Sequence, residues 1–130
     1  MWLYEKRLQY PVNIKKADAK AAAVIIDQLG GPDGELAAAL RYLSQRYTMP
    51  YPEIQALLTD IATEELAHVE IISAIIYQLT ANLSIDEIKK QGYDKYFVTH
   101  TLGIYPQGAN NVPFTAAYFQ SKGDPITDLT

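Results

Sequence analysis

Along three stretches of this chain apolar residues recur at steps of three and four, and elsewhere the period is lost, which predicts helices joined to long irregular segments. The first helix is expected from Asp18 to Leu29, a run rich in Ala, Val and Ile, opened by Asp18 as N-cap and closed by Gly30-Gly31-Pro32. Helix resumes at Asp33 or Gly34. Between Glu35 and Tyr47 the stripe Leu36, Leu40, Leu43, Tyr47 steps 4, 3, 4, with Glu35, Ala39 and Tyr42 as the adjoining row, so Glu35 borders the core and Tyr42 lies two turns along the same side. After Thr48-Met49-Pro50-Tyr51-Pro52 a long helix should run from about Glu53 to Leu79, with Pro52 near its first turn. Its expected buried row is Ile54, Leu58, Ile61, Glu65, His68, Ile72, Ile75, Leu79.

Ser84 with Glu87 three residues on forms a capping box for a short helix over Ile85 to Lys90. From Gly92 onward aromatics are frequent but aperiodic, and a structureless loop of that length is uncommon in a compact domain. It is therefore expected to be a long crossover between bundle helices or an arm packed on neighbours. Residues 1 to 16, with Trp2, Tyr4, Leu8, Tyr10 and Pro11, suit an extended arm better than a helix. The stretch from Gly123 to Thr130 reads as the start of a further helix.

Two polar groups, Glu65 and His68, interrupt the aliphatic seam of the long helix. A buried carboxylate without a partner costs several kcal/mol or takes up a proton, so something must compensate it, and a metal ion does so economically. A lone histidine on an apolar row also reads as a hydrogen-bonded core residue. Glu35 on the preceding antiparallel helix strengthens the metal reading: one carboxylate helix and one Glu-x-x-His helix are half of the ligand set with which ferritin-like bundles hold two metal ions. Such a carboxylate-dominated set with one imidazole favours Mn or Fe over Zn or Cu. Glu64 is the rival ligand, but it points away from the aliphatic row and reads as a solvated or outer carboxylate. His100 lies in the irregular tail and reads as a loop residue.

Composition narrows the partners. At 130 residues and 48% hydrophobic content the chain is expected to be a single domain, residues 1–130, with enough apolar material for a small core. A net charge of -4 with dispersed Lys and Arg offers no basic stripe for nucleic acid. No stretch approaches the roughly 20 apolar residues of a membrane span. No membrane association is expected, and the chain is expected to fold in the cytosol. The absence of Cys excludes disulfides, thiolate zinc and thiol chemistry.

The stretch from Gly30 to Leu43, Leu57 to His68, Val112-Pro113-Phe114-Thr115 and Gly123-Asp124-Pro125 together resemble the manganese catalase family, and Met1 to Pro11 is especially similar to its spore-coat members. The resemblance covers essentially the whole chain. It implies an all-α, ferritin-like helical bundle of which this chain provides the first helical pair, with a long irregular N-terminal arm and C-terminal loop segment. It implies disproportionation of hydrogen peroxide on a dinuclear Mn centre, with Fe as the alternative that ligand chemistry alone does not separate. It further implies Glu35 and Glu65 as carboxylate ligands, Glu65 as the bridge, His68 as the imidazole ligand and Tyr42 as an outer-sphere group. A homo-oligomer, a place in the spore coat and contacts with other coat proteins belong to the same expectation.

The family's remaining ligands lie on its third and fourth bundle helices, and no residues here stand in for them. The expected chain is thus a fragment, a half-site completed by a second copy, or a structural coat component whose chemistry is weak or gone. The last reading assigns assembly to Trp2, Tyr4, Tyr105 and Phe114.

Overall fold

The computed structural model describes residues 5, 7–91, 108 and 112–129. The expectations placed on Trp2, Tyr4, His100, Tyr105 and most of the tail beyond Gly92 fall outside these residues.

Helices carry the architecture: α1 (Ala19–Gly30), α2 (Glu35–Gln45), α3 (Pro52–Thr80), α4 (Ile85–Lys90) and α5 (Pro125–Leu129), with a 3-10 turn over Ala116–Tyr118. Each boundary has a local cause. The Asp18 carboxylate accepts hydrogen bonds from the backbone N–H groups of Lys20 and Ala21, two donors that the first turn of α1 would otherwise orphan. Pro52 opens α3, where its missing N–H costs nothing. Past the end of α3, Asn82 adopts a left-handed conformation (φ 62°) that closes the helix, a position Asn tolerates better than most residues. The capping box of α4 forms as expected, with Ser84 and Glu87 each holding the other's backbone N–H.

The helices α1 and α2 follow one another along α3, both antiparallel to it. Three contacts set the register: Asp18 N–H to the Leu79 carbonyl at 2.7 Å, the Glu35 carboxylate to His68 at 3.5 Å, and Arg46 to the Thr59 hydroxyl at 3.4 Å. Ala19, Ala22 and Ile26 of α1, Ile76 and Leu79 of α3 and Ile88 of α4 form a fully buried cluster, with Phe114 packed against it. The arm passes along α3 in extended form. Gln78 clamps it from both sides of its amide, accepting from Ile14 N–H at 2.8 Å and donating to the Val12 carbonyl at 2.9 Å.

Three expectations are corrected. Of the stripe Leu36, Leu40, Leu43, Tyr47, Leu43 is half-buried, whereas Leu36 and Leu40 of α2 and Tyr47 just past its end are turned outward at 38, 48 and 77% exposure; Ala39 of the adjoining row is fully buried. The small Ala39 side chain lets α2 approach α3 closely, so the alanine row wins the contact. On α3 only Leu58 and Leu79 of the expected row are fully buried; Ala62 and Ile76 complete the sealed face, because α1 and α2 meet the helix slightly to one side of the aliphatic seam. Phe114, expected to serve assembly, instead caps the core against Gly30. Among the described residues no helix is long and apolar enough to cross a membrane.

Candidate metal centre

Glu35 owes its place to the turn before it. Gly31 N–H bonds the Asp27 carbonyl at 2.9 Å, Gly34 N–H bonds the Gly31 carbonyl at 3.0 Å, and Asp33 takes a left-handed conformation (φ 59°) between them. A Cβ on Gly34 would lie 2.9 Å from the Asp27 carbonyl oxygen, so only glycine permits this tight turn. The turn starts α2 at Glu35, directly beside the middle of α3.

On α3, Glu65 and His68 stand three residues apart and so lie one above the other on one face. The His68 Nδ1 is 2.8 Å from the Glu65 carboxylate and 3.5 Å from that of Glu35. The three side chains keep 27% (Glu35), 17% (Glu65) and 35% (His68) of their surface. One ligand atom from each lies within 4.8 Å of the other two, a triangle of the size a single ion spans. Burial and the hydrogen bond and charge of Glu65 push the Glu35 carboxyl above its ordinary range, which the nearby His68 only partly offsets. For the His68 imidazole, burial pulls downward, but the hydrogen bond to Glu65 and the charges of both carboxylates outweigh it and hold the group above its ordinary value. The donor set fits a hard, oxygen-preferring ion such as Mn(II) that accepts one imidazole.

The other residues named from sequence divide clearly. Glu64 is exposed and accepts from Gln9 of the arm at 3.2 Å, away from the triangle. Tyr42 shares the Glu35 side of α2 but sits seven residues on, about 10 Å along the axis. Its hydroxyl accepts from Arg41 at 3.0 Å, and the Arg41 guanidinium lies 4.8 Å from its ring centre. Sequence reasoning missed Gln78, whose partners Val12 and Ile14 are 66 and 64 residues away, beyond the reach of any local pattern.

Fold and site together define a helical-bundle protein with a candidate carboxylate–imidazole metal centre of the ferritin-like kind. The family described as manganese containing catalase matches residues 1–130, and the chain belongs to that family. Protein CotJC of Bacillus subtilis (strain 168) is 50% identical over 129 residues, covering 99% of this chain and 68% of that one. A probable manganese catalase of Clostridium acetobutylicum is 33% identical over 131 residues, covering 99% of this chain and 58% of that one. The crystal structure of KatB, a manganese catalase from Anabaena PCC7120, superposes with a TM-score of 0.81 at 30% identity, covering 99% of this chain and 57% of that one. The chain thus spans little more than half the length of the two catalases.

Proposed function

We propose that Glu35, Glu65 and His68 hold manganese and that the chain serves the disproportionation of hydrogen peroxide to water and dioxygen at the spore coat. The observation that carries this reading is the convergence of two carboxylates and an imidazole within 4.8 Å on the facing sides of α2 and α3. A bound manganese pair would supply two-electron cycling, so that peroxide is reduced and oxidised without free radicals. The chain's own residues supply the frame. Glu65 and His68 of α3, 2.8 Å apart, would serve as a carboxylate and an imidazole ligand, and Glu35 would add a second carboxylate from α2. The protons that Glu35 and His68 favour must leave as the ion enters. Tyr42 is assigned an outer role, as a hydroxyl oriented by Arg41 on the Glu35 side of α2.

Elemental analysis of the purified 130-residue chain, with peroxide consumption followed on the same sample, tests the reading. About one Mn per chain is expected, in preference to Fe, and it should be lost in Glu65→Gln or His68→Ala and kept in His100→Ala. Equal loss in all three would show that the site is misplaced.

The second reading is a structural coat component with an incomplete metal site. It is favoured by the higher identity to CotJC, 50%, than to the probable catalase, 33%. Under it the chain binds no metal and associates with other coat proteins, and deleting residues 1 to 11 breaks assembly.

A further inference from the structure

A pocket of about 340 Å³ opens beside the turn between α2 and α3, lined by Arg46 and Tyr47 at the end of α2 and by Pro52, Gln55, Ala56 and Thr59 of α3. It lies apart from the metal triangle, since Thr59 is nine residues before His68, about 14 Å along the axis. Among the lining residues only Arg46 carries charge, and it is half-buried. Its guanidinium is held from two sides. Nη2 donates to the Tyr47 hydroxyl at 2.7 Å, with the guanidinium carbon 4.7 Å from the centre of the same ring, and Nη1 donates to the Thr59 hydroxyl at 3.4 Å. The groups around it are committed elsewhere: the Thr59 hydroxyl donates to the Gln55 carbonyl at 2.8 Å and the Gln55 amide to the Met49 carbonyl at 2.6 Å.

A guanidinium carries five N–H donors, of which two are spent in this way. The other three find no acceptor, and the charge no carboxylate, among the described residues. A cation as such has a reason to be here, because Arg46 is the C-cap of α2 and a helix C-terminus favours positive charge. A lysine would meet that need equally. The dipole does not account for a planar fork fixed against a ring and a hydroxyl with donors to spare.

We propose that this pocket binds a carboxylate group, gripped by the remaining N–H donors of Arg46 and by the Tyr47 hydroxyl. A carboxylate is planar and accepts two parallel bonds from a guanidinium, and a fork already held in place loses little freedom on binding. The Tyr47 oxygen accepts from Arg46, which leaves its own hydrogen to donate. Pro52 and Ala56 add apolar wall for a carbon skeleton. The ligand is a small organic acid or an acidic side chain offered by a partner protein, which share the carboxylate.

Equilibrium dialysis of the 130-residue chain against radiolabelled succinate tests the site, with acetate, inorganic phosphate and an acetylated, amidated aspartyl peptide as competitors. Saturable one-to-one uptake is expected, displaced by acetate better than by phosphate. Displacement by the peptide as well assigns the site to acidic side chains, and displacement by acetate alone assigns it to free acids. Arg46→Gln and Arg46→Lys should each keep the helical circular dichroism and weaken uptake at least tenfold, the lysine because it keeps the charge and loses the fork. Uptake unchanged in Arg46→Gln overturns the pocket, because the acid is then held elsewhere, such as at a metal in the triangle. Full uptake in Arg46→Lys overturns the fork, stronger displacement by phosphate overturns the carboxylate class, and no saturable uptake overturns the proposal outright.

Discussion

The two halves of α3 are one continuous helix in two different environments. Its C-terminal half is sealed: Ile76 and Leu79 are buried against Ala19, Ala22 and Ile26 of α1, Ile88 of α4 closes one side, and Phe114 lies on the cluster. Among the described residues its N-terminal half meets α2 and the arm, and the surrounding surface keeps Leu36, Leu40 and Leu57 in the open. Hydrophobicity alone does not separate the halves, since both are rich in Leu and Ile. They differ in the number of partners. The sealed half carries stability, whereas the half-buried Glu35, Glu65 and His68 group lies where the two halves meet, near the middle of α3.

Substitution should expose that contrast most strongly. Ile76→Ala should cost about 2–5 kcal/mol, because the methylenes it removes are fully buried and leave a cavity. Leu40→Ala, equal in chemistry but 48% exposed, should stay within about 0.5 kcal/mol. Urea unfolding of both variants checks the pair, and similar losses would erase the distinction between the halves.

Gly30→Ala comes next. A methyl group there would intrude on the Phe114 ring, so a loss of about 1–3 kcal/mol is expected. Combining it with Phe114→Ala should bring a cost less than the sum of the two single changes, since the collision has then been removed. Strict additivity would mean that the ring does not seal the cluster.

A smaller loss, about 1 kcal/mol, is expected for Ser84→Ala, which deletes the cap of α4 where it supports Ile88. Thermal unfolding measures it. An unchanged midpoint would show that α4 is held by Ile88 alone.

The group where the two halves meet should announce itself through pH. The raised value of His68 stabilises the metal-free fold below the imidazole's ordinary value of 6.5, and that contribution is lost as pH rises through the higher folded value. Glu35 acts in the same direction: its carboxyl favours the proton in the fold, so ionisation above the ordinary 4.5 weakens the folded state. The stability of the metal-free chain at this site should therefore fall from pH 5 to pH 8. Mn(II) should reverse the trend, because it competes with the same protons. Melting midpoints at the two pH values, with Glu35→Gln as reference, read the effect, and a wild-type slope no different from that of Glu35→Gln would remove Glu35 from the account.

Helix boundaries were legible in the sequence because their causes are local. Asp18, Ser84 with Glu87, Pro52 and the Gly30–Gly34 turn act within a few residues of themselves, and the expected ends of α1, α3 and α4 agree with the structure to within about one residue. The Glu35, Glu65, His68 grouping was legible for a related reason: helical spacing aligns Glu65 with His68, and the short turn after α2 makes the two helices antiparallel neighbours. Which stripe each helix buries was decided in three dimensions. The leucine stripe and the alanine row of α2 are both plausible inner faces, and the close approach at Ala39 against α3 chose between them. The path of the arm was likewise settled by Gln78, whose amide reaches backbone groups more than sixty residues away. Local hydrogen bonding and periodicity are properties of a short segment and survive in the bare sequence, whereas burial is a property of pairs of surfaces and exists only once the chain has brought them together.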